Sequence, residues 1–153
     1  MYGKVLSPLL VIYSRSTPLF KIATKIMSAD KKITLDRSIN LLIRNFVSNL
    51  NECKFCSNAI HYQSTKENFE MQKIRDLINF RNSTTYSEKE KAVLVYVEEI
   101  SATKSSTDTS FVELQKFFSD KEIVEITWVC ASENYFNMQA KPLGLTSDRL
   151  EAR

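Results

Sequence analysis

The chain has 153 residues, of which 43% are hydrophobic and 25% charged, and its net charge is +3. A chain of this length buries roughly two-thirds of the surface that its unfolded form exposes, so it needs neither disulfides nor metal to hold a core. Its basic residues are scattered among acidic ones, which argues against the basic stripe of a nucleic-acid-binding protein. We expect one domain over residues 1–153.

The N-terminal segment "VLSPLLVIY" (5–13) follows Lys4 and has the apolar character of a short signal-peptide core. Pro8 interrupts it, however, and no small-residue cleavage site follows. No apolar run approaches the length of a membrane span. We therefore expect a cytoplasmic protein with no membrane partner, in which the sequon at Asn82 is not used. In a reducing cytoplasm, a CxxC motif is more often catalytic or metal-binding than structural.

Glycine and proline are nearly absent, and neither occurs between Leu19 and Lys141. A sheet protein needs turn residues every few strands, so this absence indicates an all-α fold of helices joined by polar loops. The sequence predicts helices at 8–15, 18–28, 35–50, 53–66, 68–79, 88–103, 110–118 and 120–140. The segments "RNSTTYS" (81–87) and "SATKSSTDTS" (101–110) are the predicted linkers.

Several predicted helices begin with recognisable start signals. Ser7-Pro8 and Thr17-Pro18 each place a capping hydroxyl before a proline at the first helical position. A serine followed three residues later by glutamate predicts a capping box at Ser87, Ser110 and Ser119.

The apolar patterns predict which helix faces are buried. Along 39–50 the apolar residues repeat at helical spacing, which indicates one buried face. The run "IVEITWVC" (123–130) is apolar almost all round, as expected of a central buried helix. "EKEK" (88–91) is expected to be a solvated face that opens a helix. On the last helix, Trp128, Tyr135 and Phe136 are expected in a core or a subunit contact.

The stretch "NECKFCSNAIHYQ" (51–63) contains Cys53, Cys56 and the only histidine, His61. On a helix, CxxC places two sulfurs one turn apart, close enough for a disulfide. A helix N-terminus and the neighbouring Lys54 favour thiolate, while Glu52 opposes it. Such a dithiol can attack a peroxide with one sulfur and resolve the resulting sulfenic acid with the other.

Two other interpretations of these residues stay open at this point. The cysteines can be unreactive buried thiols, since free Cys is among the most buried residue types. Cys53, Cys56, His61 and the distant Cys130 also supply the ligand types of a Cys₃His zinc site. Cys130, however, stands alone in an apolar helix, where core packing is its simplest role. We expect no metal and no cofactor.

The segment "LLIRNFVSNLNECKFCSNAIH" (41–61) resembles the core of the alkylhydroperoxidase D (AhpD)-like, or carboxymuconolactone decarboxylase, family. The pattern of that family is a glutamate, eleven residues, then C-x-x-C-x-x-x-H. The segments "YSEKEKAVLVYVEEI" (86–100) and "FSDKEIVEITWVCASENYFNMQAKPLGL" (118–145) resemble its closing helices, in order and at the usual distance. The resemblance therefore extends from about Ser7 to Leu145.

The resemblance implies a compact helical bundle of about 7–8 helices that assembles into trimers or hexamers. The implied activity is the reduction of hydroperoxides, in which Cys56 attacks the peroxide and Cys53 resolves the product. An external dithiol would then restore the pair. Family members that decarboxylate lactones generally lack this CxxC, so the resemblance argues against that activity here.

Two positions depart from the family pattern. The family glutamate aligns with Leu41 and the family histidine with Ile60. Position 60 lies about 40° round the helix from Cys56, whereas His61 lies about 140° away. His61 is therefore a candidate base off the family position, and the simpler expectation is a partly exposed helix residue. Asn45 and Ser48 share a face with Leu41 and offer polar groups for a water.

Two function classes follow from these residues. The intact CxxC favours a thiol-dependent peroxide reductase. Leu41 and Ile60 favour a family member that keeps the scaffold and thiols but works as a redox sensor or an oligomeric binding protein without turnover.

Overall fold

The structure is a computed structural model that describes residues 5–148 and residue 150. Over these residues the chain forms eight α-helices and no β-strand, which confirms the all-α prediction. None of the described helices has both the length and the apolar character that a membrane crossing requires. Two short 3₁₀ segments lie at Tyr13–Arg15 and Leu77–Asn79. The helices are α1 (Ser7–Val11), α2 (Thr17–Asp30), α3 (Arg37–Leu50), α4 (Lys54–Lys66), α5 (Met71–Arg75), α6 (Glu88–Thr103), α7 (Asp108–Gln115) and α8 (Asp120–Ala140).

The single domain predicted over residues 1–153 includes residues 1–4, 149 and 151–153, which lie outside the described residues. Lys4, considered above as the start of a signal-peptide core, is one of them. The extent of the domain therefore stays a prediction.

Helix α3 lies at the centre of the bundle. Every residue from Ile39 to Ser48 is buried, because α4, α6 and α8 all pack against this helix. The apolar stripe predicted along 39–50 points into the main core, where it meets apolar side chains of α6 and α8. The most deeply buried of these side chains are Leu42, Ile43, Val47, Val93, Leu94, Val97, Ile126 and Val129.

A second, smaller cluster holds the two cysteines of the CxxC motif. It joins the start of α4 to the N-terminal segment, to α2 and to the end of α8. Ser7 fastens the N-terminal segment by donating hydrogen bonds from its backbone N–H and its Oγ to the Asp148 carboxylate. The thiols therefore lie beneath the chain's N-terminal segment, outside the main core. The buried members are Ile12, Tyr13, Ala23, Cys53, Phe55, Cys56, Ala140 and Leu145.

Two of the three predicted capping boxes are present, at Ser87 and Ser119, each with its glutamate bonded back to the cap. The prediction at Ser110 was wrong. Helix α7 begins three residues earlier, because the Thr107 side chain accepts the Ser110 N–H and becomes the cap. Ser110 Oγ instead donates to Glu99.

The caps predicted at Ser7 and Thr17 were also wrong, since both residues are already the first of their helices. The preceding residues, Leu6 and Ser16, make no side-chain cap hydrogen bond. Ser7 uses its hydroxyl for Asp148 instead, a partner 141 residues away in the chain.

Several predicted boundaries differ from the structure. The helix expected at 8–15 ends at Val11 and continues as the 3₁₀ turn, and the one at 68–79 divides into α5 and a 3₁₀ segment. The helix expected from residue 68 begins only at Met71, because Asn68 takes a left-handed conformation with φ 55° just after the end of α4. The linker at 101–110 is shorter than predicted, because α6 continues to Thr103 and α7 starts at Asp108.

Two predicted environments were wrong. The run 123–130 is not buried all round: Val124 is 68% and Trp128 37% exposed. They line an open groove of about 540 Å³ with Tyr96 and Phe111. Within "EKEK", Glu90 is buried, because it closes its capping box and accepts a hydrogen bond from Lys73 Nζ at 2.7 Å.

Candidate functional site

Cys53 and Cys56 are joined as a disulfide, with their Cα atoms 5.3 Å apart. Cys53 is the N-cap residue of α4, and its Sγ accepts the backbone N–H of Cys56 at 3.4 Å. Its own N–H donates to the carbonyl oxygen of Ser48 at 3.0 Å. A sulfur at this position faces the partial positive charge of a helix N-terminus, which favours its thiolate.

The two sulfurs are not equally accessible. Cys53 is fully buried, while Cys56 is 5% exposed. Of the pair, Cys56 is therefore the residue with more contact with solvent. Neither is open to a large partner, because the N-terminal segment and the end of α8 cover both.

Tyr13 is a main component of this cover. It is 8% exposed, packs in the cluster of the cysteines, and donates from its hydroxyl to Gln139 Oε1 at 3.0 Å. Burial, with a smaller contribution from Tyr135, raises the pKa of Tyr13 to about 12. The Tyr135 hydroxyl is itself buried and has no hydrogen-bond partner within the described part of the chain. It is a donor that a bound water or ligand can use.

The three positions considered for a base lie in different environments. Ile60 is buried beside the pair on α4, while its neighbour His61 is exposed to solvent. Leu41 is only 2% exposed and lines a pocket of about 370 Å³ with Arg37, Glu67 and other residues. Neither of the positions that align with the family relay carries a group that takes a proton.

Asn45 and Ser48, the polar residues that share a face with Leu41, both have protein partners. Asn45 Nδ2 donates to the Leu41 carbonyl oxygen at 2.8 Å and to Ser64 Oγ at 2.9 Å. Ser48 Oγ donates to Glu133 Oε1 at 2.8 Å. Ser48 therefore directs its hydroxyl away from Leu41, towards α8.

Sequence reasoning missed a buried ionic cluster formed by Asp30, Arg44 and Glu133. Arg44 Nη1 lies 3.0 Å from Glu133 and Nη2 lies 2.9 Å from Asp30. Charged residues are almost never buried unless they are paired. A single arginine in "LLIRNFV" and a single glutamate in "VCASENYF" were the signals that could have indicated this pair.

Cys130 lies in the main core, apart from the cluster of Cys53 and Cys56. It is 2% exposed, and its Sγ lies 3.2 Å from Ser101 Oγ. Burial raises the pKa of its thiol, although hydrogen bonds from Ser101 and Asn134 oppose the shift. The four residues considered for zinc are therefore not brought together, and the described residues contain no His, Cys, Asp or Glu cluster suited to a metal ion.

The large aromatic residues of α8 have separate roles. Trp128 Nε1 donates to Asp30 Oδ1 at 2.7 Å, so the indole ring fixes one carboxylate of the ionic cluster. Phe136 packs against the cysteine cluster and meets Tyr135 edge-on, with ring centroids 5.2 Å apart. Phe136 has the packing role expected of it, whereas Trp128 is 37% exposed and lies outside the core.

No protein-family model and no curated protein matches the sequence. Solved structures do match. A protein of unknown function from Agrobacterium tumefaciens, described as a candidate antioxidant defence protein AhpD, is 27% identical with a TM-score of 0.84, over 88% of this chain and 94% of that one. An uncharacterised peroxidase-related protein from Silicibacter sp. TM1040 is 17% identical with a TM-score of 0.79, over 90% and 74% of the two chains.

The debrominase Bmp8, solved in complex with 2,3,4-tribromopyrrole, also has this fold. It is 16% identical with a TM-score of 0.81, over 91% of this chain and 75% of its own. Structures with this fold thus include an enzyme that acts on a different substrate class. A likeness at this identity concerns the fold alone.

Proposed function

We propose that this chain, which has the fold of AhpD-like and peroxidase-related proteins, is a thiol-dependent hydroperoxide reductase. The observation that carries the proposal is the Cys53–Cys56 pair at bonding distance, at the start of a helix whose N-terminus favours thiolate. In a family with antioxidant and peroxidase-related members, such a pair supplies the redox step.

The proposed cycle has three steps. The Cys56 thiolate attacks the peroxide and breaks its O–O bond, giving a sulfenic acid and an alkoxide that takes up a proton as the alcohol. The Cys53 thiolate then attacks the Cys56 sulfur, forming the disulfide and, with one proton, releasing water. Finally an external dithiol reduces the disulfide and is itself oxidised. Cys56 is the attacking sulfur because it is the more exposed of the two.

A second function is favoured by one specific observation. Leu41 and Ile60 are both buried apolar residues at the positions of the family relay. Without a base, thiolate forms less readily at neutral pH. A pair that oxidises once and is reduced slowly suits a redox sensor or an oligomeric binding protein. Lactone decarboxylation is not proposed, because the CxxC pair is a feature that family members with that activity generally lack.

We also propose that the chain works as a cytoplasmic homo-oligomer, a trimer or a hexamer. Several large apolar side chains of α1 and α2 are 37–60% exposed, more than a small monomer ordinarily leaves in water. They are the surface that we propose is covered by a second copy in a closed assembly. Light scattering that returned only a 17.7 kDa species at micromolar concentration would count against it. These side chains are Leu9, Leu10, Val11, Leu19, Phe20, Ile22 and Met27.

The experiment that tests the enzymatic proposal is peroxide consumption by the reduced protein with a dithiol present. Wild-type protein should consume several equivalents of an organic hydroperoxide per chain, and both Cys53→Ser and Cys56→Ser should stop after one equivalent or none. Cys130→Ala serves as the matched control and should keep turnover. Consumption that stops at one equivalent in the wild type would favour the sensor. Turnover unaffected by either serine variant would reject the proposed site.

A further inference from the structure

The buried ionic cluster has an unbalanced charge. Arg44 is surrounded by acceptors: its Nε donates to Asn40 Oδ1 at 3.0 Å, while its two terminal nitrogens pair with Asp30 and Glu133. The side chains of Arg44 and Glu133 are 8% and 4% exposed and that of Asp30 is 17%. One guanidinium balances one of the two carboxylates, so the cluster carries one net negative charge when both are ionised.

Glu133 accepts three hydrogen bonds, from Arg44 at 3.0 Å, Ser48 Oγ at 2.8 Å and Asn137 Nδ2 at 2.7 Å. Three donors fix the position of the carboxylate. The Glu133 carboxylate is therefore held in one position at a site with little solvent screening. A charge at such a site affects neighbouring groups more strongly than it would at the surface.

Two short routes connect Glu133 with the thiol pair. Ser48, which donates to Glu133 through its side chain, accepts the Cys53 N–H through its carbonyl oxygen. Asn137, the other neutral donor to Glu133, accepts a hydrogen bond from Asn51 Nδ2 at 3.0 Å. Asn51 lies two residues before Cys53 in the chain. The carboxylate is thus connected through Ser48 to the backbone of Cys53 and through Asn137 to Asn51. The charge of Glu133 already contributes to raising the pKa of another thiol, Cys130, although burial is the larger cause there.

We propose that Glu133 sets the acidity of the Cys53–Cys56 thiols: its buried negative charge disfavours the thiolate that the helix N-terminus favours. The helix N-terminus acts in the opposite direction, so the thiol pKa reports the difference between the two. This inference rests on the proposed function only in taking the pair to be redox-active. Under this inference Glu133 is a positioning residue, which acts on the thiols through its electrostatic field and does not contact the substrate.

Other charged and titratable groups face the pair from the surrounding elements. Lys54 and Glu52 flank Cys53 in sequence and are exposed, and Lys141 Nζ pairs with Glu52 at 3.2 Å. Tyr13 covers the pair and stays neutral to high pH, because burial raises its pKa to about 12. Solvent and counterions screen the exposed groups, so we expect the buried Glu133 carboxylate to affect the thiols more than the exposed Glu52 does.

The test is the pH dependence of iodoacetamide alkylation of the reduced protein, resolved by residue with mass spectrometry. Glu133→Gln should lower the apparent pKa of the more acidic thiol of the pair by about one unit, which is about a tenfold larger thiolate fraction below that pKa. Glu52→Gln is the matched control. It removes the same charge one residue from Cys53, but from a side chain that is 83% exposed, and should shift the pKa by under about 0.3 units.

Asp30→Asn provides a second variant if Glu133→Gln fails to fold. It removes the same net charge from the cluster and leaves the Glu133 hydrogen bonds intact, so the thiol pKa should fall in the same direction by a smaller amount. An unchanged or raised thiol pKa in folded Glu133→Gln would overturn the inference. If that variant does not fold, the same result in folded Asp30→Asn would overturn it. Equal shifts from Glu133→Gln and Glu52→Gln would overturn it as well. Because the readout is thiol ionisation, it is independent of peroxide turnover and separates this inference from the proposed function.

Discussion

Ile60 and His61 are neighbours in α4 but face different surroundings: Ile60 is 9% exposed and faces the protein interior, whereas His61 is exposed to solvent. The 100° step between adjacent helix residues causes this difference. The position on the side of Cys56 is therefore apolar, and the histidine is directed away from it.

The first prediction concerns the pH dependence of peroxide reduction. With no base beside Cys56, the rate should follow the thiolate fraction and rise by up to about tenfold per pH unit below the thiol pKa. His61→Ala should leave this profile unchanged within about twofold. Peroxide-consumption kinetics from pH 6 to 9 give the answer, with Cys56→Ser as the inactive reference. A large loss with His61→Ala would show that His61 is the working base.

The second prediction restores the family relay. Leu41→Glu combined with Ile60→His should raise the rate at pH 7 by at least about tenfold and flatten its rise with pH, since general-base help is typically worth about 10²–10⁴. Both sites are buried, so we expect the double variant to be less stable than the wild type. Its Tm is therefore measured alongside. A folded double variant with an unchanged rate would indicate that the missing base is not what limits the rate of peroxide reduction.

Helix starts were predictable where the capping signal is local and unopposed, as at Ser87 and Ser119, because serine and glutamate lie within one turn. At Ser110 two local signals competed, and Thr107 prevailed. The thiol pair was predictable for the same reason, because Cys53 and Cys56 also lie within one helical turn. Glu133 was missed because its partner Arg44 lies 89 residues away in the chain, and no local pattern indicates which helices bring two charges together.

The exposure of Val124 and Trp128 shows a related difficulty. An all-round apolar helix predicts that every side is covered, but it does not say by what. In this chain one side of α8 borders an open groove. The sequence gives no information on whether the chain's own helices or a second copy cover that side.

The third prediction distinguishes Cys130 from the pair. Burial raises the pKa of its thiol, whereas the N-terminus of α4 favours thiolate in the pair, so Cys130 should be the last of the three cysteines of the reduced protein to react with a thiol reagent under native conditions. Residue-resolved native labelling measures this, and labelling in denaturant provides the control in which all three react. Faster labelling of Cys130 than of Cys53 and Cys56 would contradict the assignment.

The fourth prediction concerns stability at high pH. The pKa of Tyr13 is raised to about 12 in the folded protein, so folding holds its proton more tightly than the unfolded chain does. The associated stability is present below pH 10 and is lost as the pH rises from 10 through about 12. Tyr13→Phe should cost about 1 kcal/mol at pH 7, through the lost bond to Gln139, and should weaken the decline above pH 10. Urea unfolding at several pH values measures this, with Tyr62→Phe as the matched control. If Tyr13 is not responsible, Tyr13→Phe will leave the decline in unfolding free energy above pH 10 unchanged.

The measurement that most directly tests the central claim is mass spectrometry of alkylated protein before and after one equivalent of hydroperoxide. Reduced protein should take up alkylating reagent at Cys53, Cys56 and, once denatured, Cys130. After peroxide, Cys53 and Cys56 should be protected together as an intramolecular disulfide two hydrogen masses lighter, while Cys130 is still alkylated on denaturation. Full alkylation of Cys53 and Cys56 after peroxide, or oxidation confined to Cys130, would contradict the account.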